Sequence, residues 1–136
     1  MICIIRIHGQ VSLNKGIIET FFRLKLRRKY ACIILKPTKE NMGMLKKVRN
    51  FVAYGEIEKD LLIKLIEQRG KGLEKSKKID AKKIAEDFEK TGEFKDIKPF
   101  FRLHPARGGM ETKLGYPKGA LGNHGKRINV LLEKML

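Results

Sequence analysis

The sequence has no tryptophan, only two cysteines and no long apolar run. A helix that crosses a membrane needs about 20 consecutive apolar residues, so we expect none in this chain. Residues 1–8 start on an apolar segment without a basic leader, and we therefore expect no signal peptide. These absences predict a cytosolic protein, and 136 residues can fold as one compact unit without disulfide bonds.

The cysteines and histidines are too scattered to predict a metal site. Cys3 and Cys32 lie in separate apolar runs outside any C-x-x-C pair, which predicts buried, reduced thiols. His8, His104 and His124 form no i, i+4 pair and have no neighbouring cluster of acids. We therefore expect no metal, and no other pattern implies a cofactor.

Motifs for catalysis are missing as well. The segment GALGNHGKR departs from a phosphate-binding loop at Ala120, where glycine is needed, and at Arg127, where serine or threonine is needed. Glu111 is the only carboxylate between Lys98 and Arg127, so a catalytic pair of carboxylates has no second member there. The sequence predicts neither an enzyme nor a small-molecule substrate. An RNA-processing enzyme that grips its substrate through basic residues remains the alternative.

Positive charge is what the sequence has in excess. The chain has 31 Lys and Arg against 15 Asp and Glu, which gives a net charge of +16. Such a charge raises self-repulsion in the folded state and is typical of proteins with a polyanionic partner. Nucleic acid is the leading candidate. An anionic membrane surface is the weaker one, because the last predicted helix carries only Lys126, Arg127 and Lys134 as cations.

Hydrophobic periodicity predicts strands that alternate with helices. Residues 1–57 have the pattern β-α-β-α-β, with one layer of helices on a small sheet, and alternation alone favours a parallel sheet. The predicted strands are 2–8, 31–35 and 51–56, with a further extended segment at 100–103. The predicted helices start near Ile17 and after an N-cap at Thr38, and three more cover 58–69, 80–89 and 126–136.

Aromatic residues are too few to predict a platform on which bases stack. Phe21, Phe22 and Phe51 fall on apolar stripes and are expected in the core, whereas Tyr30 and Tyr116 are expected to be exposed. This distribution favours recognition of the backbone and shape of a folded RNA over stacking of bases on a sheet.

The most basic segment is FFRLHPARGGMETKLGYPKGALGNHGKR, residues 100–127. Its glycines and prolines predict an extended loop whose backbone can approach a phosphate chain closely, while His104 and His124 add hydrogen-bond donors. Arg107 can donate two parallel hydrogen bonds to one phosphate or guanine edge. A solvated surface loop is the alternative. The cations of the segment are Arg102, Arg107, Lys113, Lys118, Lys126 and Arg127.

Two further groups of cations lie at the C-terminal end of the first predicted helix and along the second one. The first group also suits the negative end of a helix dipole, so a structural role remains open for it. In the second helix, Met42 and Met44 are expected in the core, and a close approach of RNA at Gly43 is the alternative. The two groups are Arg23, Lys25, Arg27, Arg28 and Lys29, and then Lys46, Lys47 and Arg49.

Four segments of the sequence resemble one family. They are RIHGQVSLNKGI, LKLRRKYACIILKPT, NMGMLKKVRNFVAYGE and LHPARGGMETKLGYPKGALG, which occur in the family's order. The chain resembles the L-thirty family of large-subunit ribosomal proteins in its long archaeal form, which corresponds to L-seven in eukaryotic naming. The connector at about 73–98 matches the family poorly.

The resemblance implies both a fold and a partner. It implies an α+β fold with a split β-α-β-α-β core at residues 1–57, a largely antiparallel sheet related to the ferredoxin-like fold, and an extension at 58–136. It also implies binding to large-subunit rRNA near the five-S rRNA, beside neighbouring ribosomal proteins and without enzymatic activity. The predicted RNA-binding residues are Arg23, Arg27, Arg28, Lys29, Asn41, Gly43, Lys46, Lys47, Arg102, His104, Arg107, Gly108, Gly109, Lys113, Lys118, His124, Lys126 and Arg127.

Overall fold

The computed structural model describes residues 2–7, 14–69, 81–91, 100–104 and 121–135. The described residues form an α+β fold, as predicted, with helices on both faces of one sheet. The strands are β1 (Ile2–Arg6), β2 (Ala31–Leu35), β3 (Val52–Glu56), β4 (Phe101–Arg102) and β5 (Gly122–Gly125). The helices are α1 (Lys15–Arg23), α2 (Lys39–Val48), α3 (Lys59–Arg69), α4 (Ala81–Thr91) and α5 (Ile128–Met135).

The sheet is largely antiparallel and has the strand order β4-β2-β1-β3-β5. The parallel sheet that alternation alone favours is wrong, and the antiparallel sheet implied by the resemblance is confirmed. The reason lies in the loop after α1, which returns the chain to the end of β1. There the N–H of Tyr30 donates to the carbonyl of Arg6 at 2.6 Å, so β2 starts beside the last residue of β1 and runs the opposite way.

Successive residues of the three central strands point to opposite faces of the sheet. Ile4 packs with Ile33 and Val52 under α1 and α2, whereas Cys3 and Ile5 pack under α3, α4 and α5. The predicted layer of helices corresponds to α1 and α2 on one face of the sheet. The helices α3, α4 and α5 form a second layer on the other face. Burial on both faces explains why β1 is apolar at nearly every position, since a half-exposed strand would alternate with polar residues.

Cys3 and Cys32 are fully buried free thiols, as predicted, and they lie on the α3 side of the sheet. They lie on neighbouring strands, with 3.4 Å between their Sγ atoms. Burial raises the pKa of the Cys32 thiol well above its usual value, and the adjacent Cys3 thiol adds to the effect. Among the described residues, no group of His, Cys, Asp and Glu is placed to hold a metal ion.

The sheet is closed on one side by β5, which pairs in parallel with β3. This pairing requires Gly55, because a Cβ atom there would overlap the carbonyl oxygen of Gly125 and would meet the Ile128 side chain at 2.9 Å. Residues 122–125 were predicted to belong to the extended basic loop, and the structure corrects this prediction because they form a strand of the sheet. Their placement depends on the partner strand, since Gly-Asn-His-Gly has little strand propensity of its own.

The burial of some aromatic residues differs from the prediction. Phe21 is buried against the sheet, as predicted, but the side chain of Phe22 is 47% exposed. One residue along a helix turns the side chain by about 100°, so Phe22 leaves the stripe that Phe21 and Leu24 share. Phe51 is half-buried against the same cluster as Phe21. Tyr30 was expected to be exposed and is half-buried, and Tyr116 lies outside the described residues.

The other predicted elements match closely. The helices predicted at 58–69, 80–89 and 126–136 correspond to α3, α4 and α5, and the extended segment at 100–103 contains β4. None of the described helices is long and apolar enough to span a membrane. His8 lies outside the described residues. The division between residues 57 and 58 stays a prediction, and strands from both parts share the sheet.

Candidate nucleic-acid interface

The buried Arg6 side chain supports the loop between α1 and β2, residues 24–30, from inside the fold. The Arg6 side chain is only 1% exposed and its guanidinium donates to the carbonyl of Leu26 at 2.7 Å. The same guanidinium lies 4.2 Å from the centre of the Phe21 ring. Burial lowers the pKa of Arg6, but an arginine stays protonated because its ordinary pKa is so high. Arg6 is therefore a positioning residue for the loop.

The backbone of this loop adopts two unusual conformations. Lys25 has φ 63° and Tyr30 has φ 65°, values in the left-handed region that residues other than glycine rarely adopt. Each such residue costs about 1–3 kcal/mol, and such strain is often found at functional sites. The N–H of Leu26 donates to the carbonyl of Phe21 at 2.9 Å, which fixes the turn after α1. As a result, the cations on either side of Leu26 point into solvent.

A cleft of about 410 Å³ lies between this loop and β4. The ladder between β2 and β4 pairs Ala31 with Arg102, which places Arg102 opposite the loop. Arg102 and Phe100 lie two residues apart in an extended segment, so their side chains share the face on which α1 packs. The lining residues are Lys25, Arg27, Arg28, Ala31, Phe100 and Arg102.

The cations of the cleft have no acidic partner among the residues that the structure describes. The ion pairs among the described residues are Glu19 with Arg23 at 3.0 Å, Lys59 with Glu89 at 3.6 Å, and Lys64 with Glu133 at 3.8 Å. None of them includes a residue of the cleft. Four like charges at one concave site repel one another, and an anionic ligand would relieve this repulsion.

Two aromatic rings lie beside these cations, and sequence reasoning included neither of them as a candidate binding residue. The Arg27 guanidinium lies 5.6 Å from the centre of the exposed Phe22 ring. The Arg102 guanidinium lies 5.8 Å from the centre of the Phe100 ring. The alternation of an extended segment would have placed Phe100 on the same side as Arg102, but the sequence contains no sign that α1 and β4 meet at one cleft.

A second group of predicted residues lies on α2. Asn41 donates its side-chain amide to the carbonyl of Lys36 at 2.9 Å, and its backbone N–H donates to the Thr38 hydroxyl at 3.3 Å. This arrangement confirms Thr38 as the N-cap and gives Asn41 a structural role. Gly43, Lys46 and Lys47 are exposed. A Cβ atom at Gly43 would meet no atom within 4 Å, so packing does not require a glycine there.

The described ends of the predicted basic loop lie at opposite edges of the sheet. Arg102 is on β4, whereas Lys126 and Arg127 form the turn between β5 and α5. These edge strands are four strand spacings apart, about 19 Å. His104 follows β4, where its N–H donates to the carbonyl of Met135, and His124 is on β5. The ends of the segment therefore do not form one patch.

The remaining predicted RNA-binding residues fall into two groups, those beside the α1–β2 loop and those outside the described part of the chain. Arg23 and Lys29 are exposed beside the loop, with Arg23 paired to Glu19 and the Lys29 amine 5.1 Å from the centre of the Tyr30 ring. Five predicted residues lie outside the described part of the chain, namely Arg107, Gly108, Gly109, Lys113 and Lys118.

The described residues contain a split β-α-β core, an added layer of helices and a cluster of cations without acidic partners among them at one edge. These features define a small basic α+β protein that resembles a nucleic-acid-binding module. The sequence model of the family described as Ribosomal protein L30p/L7e matches residues 2–52. The large ribosomal subunit protein uL30 of Archaeoglobus fulgidus is 36% identical to this chain, over 99% of both chains.

Two more relatives carry the same description. The protein of Methanococcus maripaludis (strain DSM 14266) is 39% identical over 98% of this chain and 97% of its own length. The protein of Methanopyrus kandleri is 35% identical over 94% of this chain and 99% of its own length. The chain belongs to the ribosomal protein L30p/L7e family, which confirms the resemblance. It is a structural protein of the cytoplasmic ribosome and not an enzyme.

Proposed function

We propose that this chain is a structural constituent of the large ribosomal subunit and binds large-subunit rRNA through the edge of the sheet that carries β4. The observation that carries the proposal is the cleft lined by Lys25, Arg27, Arg28 and Arg102, whose cations have no acidic partner among the described residues. The relatives' description as large-subunit proteins supports the choice of subunit.

The binding acts by neutralising phosphates and holding folded RNA in place. Arginine suits this role because its planar guanidinium can donate two parallel hydrogen bonds to one phosphate. A protein that makes about 6 to 10 phosphate contacts loses roughly 10³- to 10⁵-fold in affinity between about 50 and 200 mM salt. We therefore expect a steep salt dependence of rRNA binding.

The proposal extends to residues for which the family resemblance is the support. These are the exposed α2 face at Gly43, Lys46 and Lys47, the cations near β5, and the segment at 107–118. We also propose a position near the five-S rRNA and contacts with neighbouring ribosomal proteins. The division into a core at 1–57 and an extension at 58–136 belongs to the same proposal.

Sedimentation tests the proposed function in the cell. A lysate is separated on a moderate-salt gradient, with and without removal of magnesium to split the subunits, and fractions are probed for this protein. We expect it to travel with the large subunit in both cases. Its presence with free proteins at the top of the gradient would contradict the proposal.

Footprinting of purified large subunits tests the proposed position near the five-S rRNA. Subunits that contain the protein are compared with subunits reconstituted without it, and rRNA cleavage by hydroxyl radicals is mapped. We expect protection in large-subunit rRNA close to the five-S rRNA. Protection confined to a distant rRNA domain would leave the subunit assignment intact and contradict the proposed position.

A further inference from the structure

The cleft between the α1–β2 loop and β4 combines two chemical features that a simple phosphate-binding surface does not need. Its lining combines four cations with an apolar wall to which the half-buried Phe100 and Ala31 contribute. Its volume of about 410 Å³ falls within the range of small-molecule sites. A phosphate group alone would leave the apolar wall unused.

The ring of Phe100 is available for stacking. The Arg102 guanidinium lies 5.8 Å from its centre, near the outer limit of about 6 Å for a cation–π contact, so it covers the ring only loosely. Phe100 is only half-buried and also packs against the cluster beneath α1. Bases that are splayed out of folded RNA typically stack on aromatic rings or on arginine guanidinium planes.

The loop that supplies three of the four cations is fixed before any ligand binds. Lys25 holds a left-handed backbone conformation, and buried Arg6 binds the carbonyl of Leu26 between Lys25 and Arg27. The hydrogen bond from Tyr30 to Arg6 anchors the other end of the loop. A preformed cleft lowers the entropy that is lost on binding, which favours a defined ligand over a diffuse cloud of counterions.

We propose that this cleft binds a single nucleotide that is unstacked from the RNA. The base stacks on Phe100, and the phosphates on either side of the nucleotide contact Lys25, Arg27, Arg28 and Arg102. The inference rests on the proposed function, because the nucleotide belongs to the bound rRNA. It adds Phe100 as a base-contacting residue and predicts a contact with a base where sequence reasoning favoured recognition of backbone and shape alone.

The first test uses the unmodified protein and a free nucleotide. Isotope-labelled protein is titrated with adenosine 5′-monophosphate, ribose 5-phosphate and hexaglutamate, and amide NMR shifts are followed. We expect the nucleotide to shift amides at 25–31 and 100–102 and to bind at least about 5-fold more tightly than ribose 5-phosphate, because stacking adds to phosphate binding. Equal binding of the two phosphates, stronger binding of hexaglutamate, or no shift at these residues would overturn the proposal.

The second test uses rRNA and a set of matched variants. Phe100→Leu keeps an apolar side chain but removes the stacking surface, Phe100→Tyr keeps that surface, and Phe51→Leu is the control at a half-buried ring of the same cluster that does not line the cleft. Thermal melting confirms that each variant is folded. We expect Phe100→Leu to weaken rRNA binding roughly 5- to 100-fold and the other two variants to bind within about 3-fold of the native protein.

Chemical probing of the bound RNA supplies the specific signature. One unpaired nucleotide should be protected on its base by the native protein and by Phe100→Tyr, and should become reactive with Phe100→Leu. If Phe100→Leu changes neither affinity nor reactivity while the cleft arginines still matter, the cleft is only a phosphate site and the inference fails alone. If the native protein does not bind rRNA, the proposed function fails, and the titration with free nucleotide still decides whether the cleft prefers a nucleotide.

Discussion

The two edges of the sheet use polar residues in opposite ways. At the β5 edge, Asn129 and the pair of Lys64 with Glu133 make contacts within the fold, while Lys126 and Arg127 stay exposed. At the β4 edge, four cations surround a cleft and have no acidic partner among the described residues. Both edges are rich in charge, so charge alone does not distinguish a binding surface from a structural one. The difference is that the cations of the β4 edge surround one cleft, whereas several polar groups of the β5 edge are satisfied within the fold.

Asn129 shows how polar groups at the β5 edge are satisfied within the fold. Its side-chain amide donates to the carbonyls of Glu56 at 3.1 Å and Lys126 at 2.7 Å, and its side-chain oxygen accepts from the N–H of Glu58 at 2.9 Å. One side chain thus ties α5 to the end of β3. Nearby, Lys64 on α3 pairs with Glu133 on α5. The Asn129 side chain therefore has little capacity left for a partner.

The largest effect is expected when the cations of the β4 edge are removed. The triple variant Arg27→Gln, Arg28→Gln and Arg102→Gln should weaken rRNA binding on the order of 100-fold at fixed salt, because each arginine loses charge-assisted hydrogen bonds to phosphate. Its free energy of unfolding should stay close to the native value, because these side chains are exposed. Filter binding and urea unfolding measure the two quantities.

A matched control separates position from total charge. The variant Lys82→Gln, Lys90→Gln and Lys134→Gln loses the same net charge from exposed positions on α4 and α5, on the other face of the sheet. We expect it to bind rRNA within about 3-fold of the native protein, because distant exposed charges are screened by salt. Equal losses of affinity in the two triple variants would mean that the β4 edge has no special role.

The next largest effect is expected at Gly55, where β5 closes the sheet. Gly55→Ala forces the new methyl group against the carbonyl of Gly125 and the side chain of Ile128. Overpacking of this kind typically costs about 1–3 kcal/mol, so the unfolding midpoint in urea should fall by a corresponding amount. The folded fraction should bind rRNA normally. A fully stable Gly55→Ala protein would show that β5 does not approach β3 as closely as described.

A smaller loss of stability is expected at Asn129. Asn129→Ala removes three hydrogen bonds between the side chain and the backbone, one accepted and two donated. The backbone groups that lose their partner are partly exposed, so water replaces some of these bonds. We expect a loss of about 1–2 kcal/mol in urea unfolding. Asn123→Ala is the control, because among the described residues the Asn123 side chain accepts a single hydrogen bond, from the nearby N–H of Gly125. An equal effect of the two substitutions would contradict the role assigned to Asn129.

The smallest effect on stability is expected at Gly43, and its sign is reversed. Gly43→Ala places a methyl group in open space on α2 and should stabilise the free protein by about 0.5–1 kcal/mol, because alanine favours the helix. If RNA approaches α2 closely, the same substitution weakens rRNA binding. Thermal unfolding and filter binding distinguish the two effects, and unchanged affinity would remove Gly43 from the proposed interface.

Local patterns in the sequence predict the centre of this fold well and its edges poorly. The segment from Cys3 to Ile7, apolar except for Arg6, identifies the central strand because hydrophobic burial on both faces leaves a clear signature. The strand at Gly122–Gly125 has no such signature, because its pairing with β3 is a tertiary effect. Phe22 was misassigned because two adjacent phenylalanines on a helix cannot both face one core.

The candidate site was predictable as a list of cations but not as an arrangement. Arg27 and Arg102 are 75 positions apart in the sequence, and only the pairing of β4 with β2 brings them to one cleft. That pairing depends on two residues of β4 and leaves almost no local pattern. Conversely, Arg102 and Lys126 looked like members of one loop, and the fold places them at opposite edges of the sheet.

Amide hydrogen exchange with and without bound rRNA compares the two edges in one native molecule. Binding at the β4 edge predicts slower exchange at residues 24–31 and 101–102, and unchanged exchange along β3 and α5, which the fold already protects. The opposite result, with slower exchange at 52–56 and 128–135 and none at 24–31, would contradict the assignment of RNA binding to the β4 edge.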